Sequence, residues 1–111
     1  MESLPTAPSC ALDDIGLRAQ YERYRQAGAG ARVLHRSSLR LVVELDQHVD
    51  TRLVEQTIAI ERECCPFYEL GFEPDRRRLS VSVSRPEQAP ALEAIAFALG
   101  LQAPVPRAAT G

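Results

Sequence analysis

Between Asp13 and Ala27 the apolar positions recur at helical spacing, with Leu17, Tyr21 and Tyr24 at i, i+4 and i+7 and Arg18, Glu22, Arg23 and Arg25 between them. This predicts an amphipathic helix capped by Asp13 or Asp14 and stopped by Gly28, with Gly16 weakening its first turn. From Arg32 to Leu45 the chain turns rich in valine and leucine, interrupted by Ser37 and Ser38, and reads as two strands joined by a tight turn. Asp50 can cap a second helix, in which Leu53, Val54, Thr57, Ile58 and Ile60 keep the helical period. That helix must end near Cys64 or Cys65, because Pro66 has no amide donor and forces the preceding residue out of helical geometry.

Beyond Pro66 the period becomes two. Tyr68, Leu70 and Phe72 alternate against Phe67, Glu69 and Gly71, and Leu79, Val81 and Val83 alternate against three serines. Pro74 and Asp75 supply the turn of a second hairpin, and Arg76, Arg77 and Arg78 read as its solvated charges. Pro86 to Gly100 predicts a last helix with Leu92, Ile95, Ala96 and Leu99 on one side and Pro90 confined to its first turn. The expected fold is α+β in the order αββαββα. The two hairpins make one four-stranded antiparallel sheet, and the second and third helices cover one face. Leu41, Val43, Ile58, Leu70, Val81, Val83, Ile95 and Leu99 are its expected core.

A length of 111 residues allows one domain, placed at 10–102, with proline-bearing segments 1–9 and 103–111 expected to be flexible. The start, MESLPTAPSC, lacks the basic and apolar blocks of a secretory signal, and no run approaches the ~18 apolar residues of a membrane span, so a cytoplasmic protein is expected. A formal charge of -2 argues against nucleic acid as a partner. All basic residues are arginine, a bias that suits a GC-rich bacterial genome. No phosphate-binding loop is present; the GAG at Gly28 to Gly30 is too short for one.

Three cysteines in a reducing compartment point to thiol chemistry, metal ligation or core packing rather than a disulfide framework. Cys64 continues the row Leu53, Thr57, Ile60, and Cys65 the row Val54, Ile58, Glu61, so at least one thiol faces inward. The negative end of a helix disfavours a self-activated thiolate. Capture of a soft ion such as Hg(II), Cu(I) or As(III) escapes that objection, because the ion itself displaces the proton. Cys10 is the candidate third ligand beside Cys64 and Cys65, with Glu61 near the thiol site or at the edge of the buried face. His35, in a strand, and His48, in a polar loop, are expected to face solvent or bond locally.

Glu61, Glu63, Cys64, Cys65, Pro66, Phe67 and Tyr68, with Cys10 in SCALDD, resemble a bacterial small-domain family found alone or behind MerR-type regulators. The resemblance spans about residues 10–100, its specific part being Cys10 and the ECCPF stretch. In the attached form the module sits where such regulators receive their effector, which implies metal or ligand sensing. This chain lacks the helix-turn-helix and coiled coil of that form. The leading expectation is therefore a non-enzymatic domain that binds a soft heavy-metal ion or thiophilic small molecule, with a regulatory protein or a second copy as macromolecular partner. The alternatives are a thiol redox enzyme or sensor in which Cys10 resolves an oxidised cysteine, and a partner-binding module whose cysteines only pack.

Overall fold

The computed structural model describes residues 13–101. Their elements run α1 (Asp14–Gly28), β1 (Arg32–Arg36), β2 (Arg40–Glu44), α2 (Thr51–Cys64), β3 (Glu69–Glu73), β4 (Arg78–Ser82) and α3 (Ala89–Ala98), with short 3-10 turns at Pro74–Arg76 and Pro86–Gln88. This is the expected αββαββα order. Cys10, the ends 1–9 and 103–111, and the terminal bounds of the domain lie outside the described residues.

Local chemistry accounts for most boundaries. The Asp13 side chain accepts from the Gly16 amide at 2.7 Å and caps α1, and Asp50 accepts from the Arg52 amide at 2.9 Å and caps α2. Ser37 Oγ accepts from the amides of Leu39 and Arg40, which closes the first hairpin. Gly100, at φ 87°, ends α3 by letting the Leu101 amide reach back to the Ala96 carbonyl at 3.0 Å. Pro90 stands in the first turn of α3, where its missing amide costs no helical bond.

All strand pairs are antiparallel, in the order β1-β2-β4-β3, so the two hairpins join through β2 and β4. The register stacks Leu41, Val81 and Leu70 in one row and Val33, Val43, Leu79 and Phe72 in the next. These rows form the face covered by the helices. Leu41, Val43, Leu79, Val81 and Val83 are buried there against Val54 and Ile58 of α2, Leu92, Ile95 and Ala96 of α3 and Leu99, the C-cap of α3. Leu70 was expected in the core but is half-buried, because β3 is an edge strand with a neighbour on one side only. Val42, which breaks the alternation of β2, points to the other face, opposite Ser80. Among the described residues no helix is long and apolar enough to cross a membrane.

Three expectations are corrected. First, α1 packs across α2 and α3 through Gln20, Tyr24, Ala27 and Gly28, not through a Leu17–Tyr21–Tyr24 stripe. Tyr21 is exposed beside the more exposed Phe97, their ring centroids 6.1 Å apart, and Leu17 is half-buried. Second, Gly28 does not stop α1. It is the last helical residue, and a Cβ there would stand 2.0 Å from the Leu99 carbonyl oxygen, so glycine is needed for the close approach of α1 to the end of α3. The turn after the helix falls to Gly30, at φ 75°.

Third, the arginine run is more than a solvated turn. Arg77 adopts the left-handed conformation, φ 55° and ψ 37°, and its Nη2 lies 2.9, 2.6 and 2.6 Å from the carbonyls of Asp46, Gln47 and Val49. The guanidinium therefore ties the β3–β4 turn to the loop that leads into α2. In that loop Asp46 accepts from the backbone amide and the ring Nδ1 of His48, both at 2.9 Å. The backbone amide of His48 first, then its ring, hold the Asp46 carboxyl below the usual carboxylate range.

Gly28→Ala is expected to lower stability by about 1–3 kcal/mol or more, because the Leu99 backbone rather than a mobile side chain blocks the added methyl. Chemical denaturation monitored by circular dichroism checks this, with Ala29→Gly as the neighbouring control that should cost far less.

Candidate functional site

The cysteine doublet stands where α2 is forced to end. Cys64 is its last residue and Cys65 its C-cap, at φ -137° and ψ 78°, with the Cys65 amide still donating to the Glu61 carbonyl at 2.8 Å. Pro66 then occupies the second position of a turn closed by the Tyr68 amide donating to the Cys65 carbonyl at 3.3 Å. The turn is anchored from below: Tyr68 is buried, and its hydroxyl donates to the Ala91 carbonyl of α3 at 3.0 Å. Phe67 packs on Tyr68 with ring centroids 4.5 Å apart, yet remains exposed on its outer side.

Successive residues at a helix end point about 100° apart, which divides the doublet. Cys65 is wholly enclosed in the hydrophobic core, while Cys64 is half-buried at the core's rim. The two thiols thus differ in access although they are adjacent in sequence.

One turn before Cys65, Glu61 is completely buried, 0% exposed, rather than at the edge of the apolar face. Its Oε1 accepts from the Tyr24 hydroxyl at 2.9 Å and from the Gln20 Nε2 at 3.2 Å. Gln20 Nε2 also lies 3.0 Å from the Thr57 carbonyl, and Gln20 Oε1 accepts from Arg23 Nη1 at 2.6 Å. The amide of Gln20 therefore stands between the Arg23 guanidinium and the buried carboxyl, polarised by both. Burial, and then the charge and hydrogen bond of Glu61, push the Tyr24 hydroxyl far above the ordinary tyrosine range, with Tyr68 and Cys65 adding in the same direction. Tyr24, Glu61, Tyr68 and Cys65 thus share one enclosed environment.

Sequence spacing singled out Cys64, Cys65 and Glu61 and missed Gln20 and Thr57. A usable signal did exist: Gln20 lies four residues before Tyr24, and Thr57 four before Glu61, so two polar rows were available to meet. The other candidates do not join the doublet. His35 lies exposed on β1, opposite Val42 and so on the face without helices, and His48 is exposed and bonded to Asp46. Among the described residues no three or more His, Cys, Asp or Glu side chains gather as a metal-binding group, and Cys10 lies outside those residues.

The arrangement presents a rim thiol and an enclosed thiol on consecutive residues, with a buried carboxyl one turn away. No protein-family profile matches the chain, and neither the curated proteins nor the solved structures contain a detectable relative.

The elevated Tyr24 hydroxyl has a pH consequence. Unfolded tyrosine ionises near ~10, whereas Tyr24 in the folded chain holds its proton to higher pH, so above that point the folded state binds more protons than the unfolded one. Its contribution to stability is fully present below the unfolded pKa and is lost as pH rises, at roughly 1.4 kcal/mol per pH unit for one proton. Stability measured by urea titration between neutral and strongly alkaline pH should fall more steeply for the parent than for Tyr24→Phe, by about one proton. Equal slopes would remove this role for Tyr24.

Proposed function

We propose that the domain captures a soft metal ion or a small thiophilic compound through Cys64 and Cys65, with Cys10 completing a three-sulfur site. The observation that carries this reading is the unequal burial of the doublet beside a buried carboxyl. Packing alone accounts for Cys65, since an enclosed thiol behaves as a small hydrophobe. It gives no reason for a second thiol at the accessible rim or for an enclosed Glu61, whose burial must be offset by hydrogen bonds from another helix.

In this mechanism Cys64 makes first contact at the rim. The incoming ion displaces the thiol proton, so the unfavourable negative end of α2 does not prevent thiolate formation. Cys65 joins when the Pro66–Tyr68 turn yields, and Cys10 approaches from the segment that precedes α1. Glu61 acts through position rather than by direct ligation, holding the last turn of α2 against α1 through Tyr24 and Gln20. Soft thiolate donors select Hg(II), Cu(I) or As(III) over Mg(II) or Ca(II), which need oxygen-rich cages. A reducing cytoplasm would keep the thiols available, and the likeness of the ECCPF stretch to effector-binding modules suits a sensing or delivery role toward a regulatory protein.

The reduced chain should take up one equivalent of Hg(II) in native mass spectrometry, with a thiolate-to-metal charge-transfer band in the ultraviolet. Replacing both Cys64 and Cys65 by serine should abolish the band, and Cys10→Ser should weaken it while leaving a two-sulfur signature. A double variant that binds like the parent defeats the proposal. Loss of Hg(II) uptake in no variant but a reversible Cys10 disulfide under mild oxidant would instead favour the redox alternative.

A further inference from the structure

The sheet face turned away from the helices carries a groove of about 740 Å³ whose origin is visible in the strand register. Across β2, β4 and β3 one row reads Arg40, Ser82, Glu69, and the next Val42, Ser80, Gly71. Two serines and a glycine keep the floor low. A Cβ on Gly71 would come within 3.1 Å of Ser80 Oγ, so a larger residue there would crowd the floor.

The charges around this floor are unspent. Arg40 and Glu69 flank Ser82 from opposite sides, and among the described residues neither makes an ion pair or a side-chain hydrogen bond. The neighbouring row shows the contrast: Glu44 is neutralised across the strands by Arg32 at 2.6 Å. Ser82 stands between Arg40 and Glu69, whose strands lie two interstrand spacings apart, about 10 Å, and among the described residues the two charges are not paired with each other. A second guanidinium, Arg62, stands at the rim, fixed by its Nη2 donating to the Leu70 carbonyl of the β3 edge at 2.7 Å.

We propose that this groove binds a small zwitterion of the amino-acid class, its carboxylate held by Arg40 and the Ser82 and Ser80 hydroxyls and its ammonium by Glu69. A simple anion would set its charge against Glu69, and a simple amine would face two guanidiniums. A carboxylate and an ammonium on one carbon satisfy both sides, each meeting a side chain of opposite charge. Charge-assisted hydrogen bonds to a carboxylate are the contacts at which arginine is strongest. The site lies on the face opposite the core that encloses Cys65 and stands independently of the thiol reading.

The test is a titration of the full reduced chain, and of the Cys64→Ser/Cys65→Ser chain, followed by amide nitrogen–proton NMR. The probes are glycine, L-alanine, L-serine and L-cysteine, with acetate and methylammonium as half-ligands. Saturable shifts at Gly71, Ser80 and Ser82 are expected with at least one amino acid in both chains, and weaker binding of either half-ligand. Arg40→Ala and Glu69→Gln, both at exposed positions, should each lower affinity by about ten-fold or more with the rest of the spectrum unchanged. The proposal is overturned if no amino acid gives saturable shifts, or if acetate binds as well as the amino acids and Glu69→Gln has no effect, which would describe a plain anion site.

Discussion

A carboxyl sealed from water must be met by hydrogen-bond donors, and Glu61 imposes that requirement on the whole helical layer. Its donors come from α1, 37 and 41 residues away in sequence. This fixes which side of α1 faces inward. Gln20 and Tyr24 take the buried positions that an apolar stripe would have given to Leu17 and Tyr21, and Ala27 and Gly28 continue the same face. At the far end of α1, the absence of a Cβ on Gly28 lets the helix rest on the Leu99 carbonyl. One polar contact and one backbone contact therefore pin α1 at two points, across α2 and α3 respectively.

The same geometry gives the doublet its character. Because Glu61 holds the last turn of α2 inward, Cys65, four residues on, is drawn into the core as Cys64 turns to the rim. Pro66 ends the helix at that point, and the buried Tyr68, bonded to the Ala91 carbonyl, secures the following turn to α3. The site depends on three helices, although its cysteines belong to one. The opposite sheet face is built differently, from small side chains and uncommitted charges, so a single sheet presents an apolar, thiol-bearing layer on one side and an open polar groove on the other.

Whatever depended on local pattern could be read from the chain. The period of two in β3 and β4, the caps at Asp13 and Asp50, the break at Pro66 and the apolar side of α3 all act within a few residues of themselves. What could not be read depended on distant partners. Glu61 in an apolar row looks like an edge residue until Tyr24 and Gln20 are known to face it, and Arg77 looks like one of three solvated charges until its turn is brought against the carbonyls of Asp46, Gln47 and Val49. Gly28 resembles a helix stop because its real constraint, the Leu99 backbone, is 71 positions later in the chain. The cysteine site was legible to the same extent: the spacing predicted that one thiol turns inward, but not that its neighbour is a carboxyl held by another helix.

The coupling between Tyr24 and Glu61 sets how α1 meets α2, and a double-mutant cycle measures it directly. Stability to urea would be compared for the parent, Tyr24→Phe, Glu61→Gln and the double variant. The interaction energy should be about 1–3 kcal/mol, as expected for a buried hydrogen bond to a carboxyl, with the double variant less destabilised than the sum of the singles. Additive effects, with no coupling beyond about 0.5 kcal/mol, would show that α1 is positioned by something other than the Glu61 carboxyl and would contradict the account.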